Sequence, residues 1–143
     1  TLSLPDALPI SVVLAACASG GGGEATTEID GSWVRSFAAD RDAAYHAALG
    51  VFTAEGYVLH SANPLAGTFT AKSPAGETAG VVDYRLAHVV VESLRRDLVR
   101  IRIGIVRTRE PSGAGRRPNN DRPVRDRAVY EALFDRIGSE LAK

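Results

Sequence analysis

The chain has 143 residues, with 17 Lys+Arg against 17 Asp+Glu, 45% hydrophobic and 24% charged. These proportions fit one ordinary globular domain and exclude a disordered, collagen-like or multi-span membrane chain. Zero formal net charge argues against a general nucleic-acid binder, and a single cysteine leaves no intramolecular disulfide to form.

Residues 7–16 form an apolar run of secretory-signal length, too short to span a bilayer. The run ends in Leu14-Ala15-Ala16-Cys17, after which the chain turns polar. A branched residue, two small residues and then the only thiol of the chain resemble the bacterial lipoprotein signal. In that motif small side chains fit the signal peptidase pocket and the cysteine sulfur receives a diacylglycerol. The resemblance implies a lipidated Cys17, palmitate among its acyl groups. It also implies anchoring to a membrane, and one acyl chain holds marginally where two or three hold stably. Ala18, in place of Asp, resembles the default for sorting to the outer membrane, with the domain facing the periplasm. Asp6 stands where a basic segment belongs, and residues 1–11 resemble translated adapter sequence, so residues 1–16 read as a truncated signal peptide. A mature chain starting at Cys17 loses only Asp6 from the charge count and carries net +1.

Residues 17–31 read as the lipidated cysteine and a glycine-rich tether, with glycine at all four positions 20–23. Fourteen such residues reach about 20 Å. No Lys-Ser/Thr follows the glycines and no apolar strand precedes them, so they are not a phosphate loop. One domain is expected over residues 32–143.

Trp33, Arg35 and Phe37 alternate, which predicts a strand over 32–38. Asp40 is the expected N-cap of a helix over 41–55, with Asp42 suiting its first turn. Tyr45, Ala48, Leu49 and Phe52 form its apolar stripe, and Gly56 ends it. Short strands are predicted at 57–61 and 67–72, with turns at Asn63-Pro64 and at Pro74. Residues 81–92 read as a long strand with Val82, Tyr84, Leu86, His88 and Val90 on its apolar face. Residues 93–97 make a hairpin connection. The strand at 98–108 is the clearest: Val99, Ile101, Ile103 and Ile105 alternate with Arg100, Arg102 and Gly104. Residues 109–123 read as an exposed loop. Asp121 or Asn120 is the expected cap of a last helix, with Pro123 in or near its first turn. Its apolar side is Val129, Tyr130, Leu133, Phe134, Ile137 and Leu141.

Two striped helices and a one-sided sheet give an α+β two-layer sandwich: four to five antiparallel strands with both helices on one face. Three segments carry a further resemblance: residues 43–57 with Glu55-Gly56-Tyr57, residues 66–71, and residues 99–104 together with a terminal helix ending at 137–141. In this layout the domain resembles small Gram-negative lipoproteins of unknown function. More distantly it resembles the helix-grip domains of lipoprotein subunits of the outer-membrane β-barrel assembly machine. The resemblance implies no catalytic residues.

His46, His60 and His88, with Asp83, have no metal-like spacing, so no metal or other cofactor is expected. There is no G-x-S-x-G nucleophile motif, and lipid would consume Cys17. Charge is uneven along the chain: residues 24–92 carry 4 basic and 9 acidic groups, whereas residues 95–127 carry 11 arginines and 4 acidic groups. Arg95, Arg96, Arg100, Arg102, Arg107, Arg109, Arg116 and Arg117 are the candidate polyanion-binding residues, because guanidinium forks match phosphate and carboxylate. The leading expectation is a non-enzymatic envelope lipoprotein acting as an adaptor or accessory subunit with a protein partner. The alternative is a module that binds anionic lipid, lipopolysaccharide or cell wall. An exported protein does not meet nucleic acid, and an unpaired terminal strand offers a route to a homo-oligomer.

Overall fold

The computed structural model describes residues 26–111 and 121–143. The expected signal peptide, Cys17, most of the tether, Asn120, Arg116 and Arg117 lie outside the described residues. In chain order the elements are β1 (Thr27–Ile29), β2 (Ser32–Phe37), α1 (Arg41–Ala54), β3 (Val58–Asn63), β4 (Thr68–Lys72), β5 (Gly76–Thr78), β6 (Val81–Arg95), β7 (Leu98–Pro111), β8 (Asp121–Pro123) and α2 (Arg127–Leu141). All strands pair antiparallel in one sheet of order β1-β2-β7-β6-β4-β3; β5 extends the β6 edge and β8 extends the β7 edge.

The β6–β7 hairpin runs from Val81↔Pro111 to Arg95↔Leu98 and carries the rest. β7 buries Val99, Ile101, Ile103 and Ile105 on one face, and β6 sets Ala87, Val89 and Val91 beside them. β2 adds Trp33 and Phe37 to that face, and β4 adds Phe69 and Ala71. Both helices pack there, as the ring contacts show. Trp33 stacks on Tyr130 at 5.6 Å and Phe37 meets Phe134 at 6.1 Å. Tyr45 and Phe52 of α1 each meet Phe69 edge-on at 5.7 Å. Such pairs add about 0.5–1.5 kcal/mol beyond the area they bury. The architecture is therefore α+β, with two helices over one face of an antiparallel sheet.

The helix ends follow from local chemistry. Asp40 caps α1, its Oδ1 accepting from the Ala43 N–H at 2.8 Å. At the other end the Gly56 N–H donates to the Thr53 carbonyl and the Tyr57 N–H to the Phe52 carbonyl, both at 3.0 Å. Tyr57 then packs edge-on against Phe52 at 5.1 Å, so the chain leaves the helix through a Schellman turn closed by two aromatic rings. No described helix is long and apolar enough to cross a membrane.

Five expectations are corrected. The sheet has eight described strands, not four to five. The additional ones are three residues long, too short for a period-two pattern to register. β1 lies inside the expected tether, where Thr27↔Val34 and Ile29↔Ser32 pair it to β2. β8 lies inside the expected loop, and the cap of α2 is Asp126, not Asp121 or Asn120; its carboxylate accepts from the Ala128 N–H at 3.0 Å. On β6 the core face is the Ala87-Val89-Val91 row; His88 is exposed on the other face with Val82, Tyr84, Leu86 and Val90. Both rows are apolar in sequence, and register with Ile101, Ile103 and Ile105 of β7 selects between them.

Two glycines predict opposite responses to alanine. Gly67 has φ +75°, and a Cβ there would stand 2.4 Å from the Val91 carbonyl oxygen. Its own carbonyl accepts from the Val91 N–H at 2.7 Å, tying the β3–β4 turn to β6. Gly67→Ala is expected to cost about 2–3 kcal/mol in urea unfolding. Gly50 lies in the exposed middle of α1 with open space around it, so Gly50→Ala is expected to gain about 1 kcal/mol. A third test concerns the buried Tyr130 hydroxyl, which accepts from the Ile105 N–H at 3.2 Å and donates to the Val124 carbonyl at 2.6 Å. Tyr130→Phe strands both backbone groups and is expected to cost about 1–3 kcal/mol in the same measurement.

Candidate functional site

The strand and its turns distribute the candidate arginines over three places. Arg95 and Arg96 are exposed at the hairpin tip, Arg95 Nε lying 3.6 Å from Asp97 Oδ1. Arg100 and Arg102 project from the face away from the helices, and Arg100 is paired with Glu92 at 2.5 Å. Arg107 and Arg109 project from the helix-bearing face at the far end. Residues 98 and 109 of an extended strand are about 35 Å apart. Among the described residues the set therefore forms no single patch: alternation puts neighbours in sequence on opposite faces, and strand length separates the ends. Arg116 and Arg117 lie outside the described residues.

The histidines are also dispersed. The His46 ring meets the Asp42 carbonyl within α1 at 2.8 Å. His60 is exposed on the edge strand β3, and His88 lies on the face of β6 opposite Asp83. No three His, Cys, Asp or Glu side chains among the described residues come together as a metal site.

A different group of residues does converge. On the helix-bearing face, where β6 and β7 run past the helices, a cleft of about 620 Å³ opens. The sheet supplies Asp83, Arg85 and Arg107; α2 supplies Val129, Leu133 and Arg136; the end of α1 supplies Glu55 and Tyr57. Arg107 grips Asp83 with two nitrogens, Nε donating to Oδ1 at 3.0 Å and a terminal nitrogen to Oδ2 at 2.5 Å. That charge-assisted fork holds the Asp83 carboxyl below the usual carboxylate range and raises Arg107 in turn. Arg109 reaches the same carboxylate at 4.0 Å. Across the cleft Arg136 is paired with Glu55.

Arg85 is held by its backbone: its N–H donates to Ser73 Oγ at 2.7 Å and its carbonyl accepts from the Ser73 N–H at 2.8 Å. Its guanidinium lies beside the Tyr57 hydroxyl. Burial pushes the Tyr57 hydroxyl up, and the Arg85 charge and hydrogen bond pull it partly back. The sequence reading missed Arg85. Arg85 shares its row with Ala87, Val89 and Val91, so a charge stands where that row would otherwise face the helices, but only register with β7 identifies that row as the core face.

Protein-family models give no match to the chain, and curated proteins give none either.

The Asp83–Arg107 pair predicts a pH response with a defined sign. The folded-state carboxyl titrates lower than the unfolded one, so the pair's stabilisation is present above the unfolded value, near pH 4, and is lost as pH falls through the lowered folded value. Carboxyl-carbon NMR is expected to place the Asp83 midpoint below that of the exposed carboxylates. In Arg107→Gln it is expected to rise, because the hydrogen bond and charge of Arg107 are lost while the charges of Arg109 and Arg85 remain.

Proposed function

We propose that the protein is a lipid-anchored lipoprotein of the outer membrane, facing the periplasm, that serves as a non-enzymatic adaptor or accessory subunit in the cell envelope. One observation carries the reading: the only cysteine of the chain, Cys17, directly follows Leu14-Ala15-Ala16 at the end of an apolar run. A thiol in that place is suited to receive a diacylglycerol, and two or three acyl chains hold a domain on a bilayer without a membrane span. The uncovered sheet surface supports a partner-binding role. Among the described residues no helix lies on the face carrying Val82, Tyr84, Leu86 and Val90. The edge strand β3 is exposed throughout, with Val58 69% and Leu59 46% accessible. Strand edges and half-apolar faces of this kind accept extended segments or a second sheet.

The second reading, a polyanion-binding module, is favoured by the 11 arginines between residues 95 and 127. On the face away from the helices its basis is Arg102 with Arg100, although Glu92 already engages Arg100.

Expression in a Gram-negative host behind an intact signal, with labelled palmitate, tests the anchor. Label is expected in the protein and in the outer-membrane fraction, and Cys17→Ser is expected to abolish both. Label retained in Cys17→Ser, or absent from the parent protein, overturns the lipoprotein reading. In-cell crosslinking followed by mass spectrometry tests the adaptor reading. A reproducible envelope partner is expected, and its absence shifts the assignment to polyanion binding.

A further inference from the structure

We propose that the cleft between α2 and the outer part of the β6–β7 hairpin binds a small amphipathic anion. Arg85 and the Tyr57 hydroxyl would hold one phosphate or carboxylate group, and the apolar body would lie against Val129, Ala132 and Leu133. The inference is separate from the adaptor reading and survives the loss of any protein partner.

The first argument is the cross-strand pair Arg85↔Arg107. Like charges directly opposite on one sheet face repel, and a fold without a use for them gains by replacing one. Here both members of the pair line one cleft, with the Arg107 side chain 48% exposed. Asp83 does not cancel both charges, because both of its oxygens are engaged by Arg107 and Arg109 is drawn to the same carboxylate. Glu55, the other carboxylate lining the cleft, is taken by Arg136. Of the three guanidiniums that line the cleft, Arg107 and Arg136 each have an ion pair with a carboxylate and Arg85 has none. Among the described residues no carboxylate lies within ion-pair distance of it.

The second argument is the lining. Beside Arg85 stands Tyr57, a half-buried hydroxyl donor whose ring is fixed against Phe52. A guanidinium and a phenol donor on adjacent fixed elements suit an oxyanion with several acceptor atoms. The α2 wall is apolar at Val129, Ala132 and Leu133, so the cleft is two-sided in character. Its volume of about 620 Å³ lies in the range of sites that enclose a small molecule. A bare inorganic ion would leave most of it unfilled. An anion with an apolar body fills it and neutralises the surplus charge.

The test uses the full chain without acyl groups, titrated with hexyl phosphate and with inorganic phosphate and followed by amide and arginine side-chain NMR. Hexyl phosphate is expected to bind at least tenfold more tightly than inorganic phosphate, shifting Tyr57, Arg85 and Leu133. Arg85→Gln is expected to weaken it at least tenfold. Arg102→Gln, on the opposite face, is expected to leave it within twofold. Tyr57→Phe keeps the ring that packs on Phe52, is expected to weaken binding about threefold, and serves as the second variant if Arg85→Gln fails to fold. Vesicles of phosphatidylglycerol, with phosphatidylcholine as control, separate the sources of the headgroup. Vesicle binding lost in Arg85→Gln assigns a bilayer lipid, and hexyl phosphate binding without vesicle binding assigns a soluble molecule. Unchanged affinity in both cleft variants overturns the site. Equal affinity for the two phosphates, or an equal loss in Arg102→Gln, overturns it as well.

Discussion

Register between β6 and β7 is the constraint on which the other elements depend. Ala87, Val89 and Val91 stand opposite Ile105, Ile103 and Ile101, and these six side chains form the floor on which both helices rest. β4 is registered on β6 through Phe69↔Val89, and β2 on β7 through Trp33↔Ile103 and Phe37↔Val99. A slip of one residue would turn the isoleucines outward and bring Arg100 and Arg102 under the helices, at a cost far above the stability of a domain this size. The hairpin therefore sets which face is core, where the aromatic rings meet, and which charges fall into the cleft at its far end.

Much of this was legible in the sequence because it rests on long periodic stretches. The alternation of Val99, Ile101, Ile103 and Ile105 identified β7, and the stripe through Tyr45, Ala48 and Phe52 identified α1 with its Asp40 cap and Gly56 exit. The short strands were not legible by period, yet one left a signal. Asp30 and Gly31 both have positive φ and form the two-residue turn joining β1 to β2. Asp-Gly is a strong hairpin signal, but it closes a stretch of linker composition that begins with the glycines at 20–23. Ala79-Gly80 makes the corresponding turn between β5 and β6. It carries no comparable signal, since alanine rarely adopts positive φ. The choice of core face on β6 was undetermined locally, because both of its rows are apolar and only the partner strand decides.

The candidate site was less legible for a related reason. A run of arginines in sequence suggests a patch, but strand alternation sends Arg100 and Arg102 to one face and Arg107 and Arg109 to the other. Convergence comes instead from residues far apart in the chain: Tyr57 after α1, Arg85 on β6 and Leu133 on α2. No window of sequence contains them together.

Two of the other arginines on the helix-bearing face, Arg35 and Arg107, show what a purely structural arginine looks like here. Arg35 donates to Thr26 Oγ1 through two nitrogens, at 3.0 and 2.7 Å, and to Asp135 at 2.8 Å, and its guanidinium lies 5.3 Å from the centre of the Phe134 ring. Arg107 has the fork to Asp83. Each is neutralised by a carboxylate placed for it. Arg85 makes no ion pair of its own: it has a tyrosine hydroxyl, an apolar helix wall and a second guanidinium directly across the strand pair, and the nearby Asp83 carboxylate is gripped by Arg107. A guanidinium without an ion pair of its own, set in a cleft beside a hydroxyl donor and an apolar wall, suits a counter-charge that comes from outside the chain.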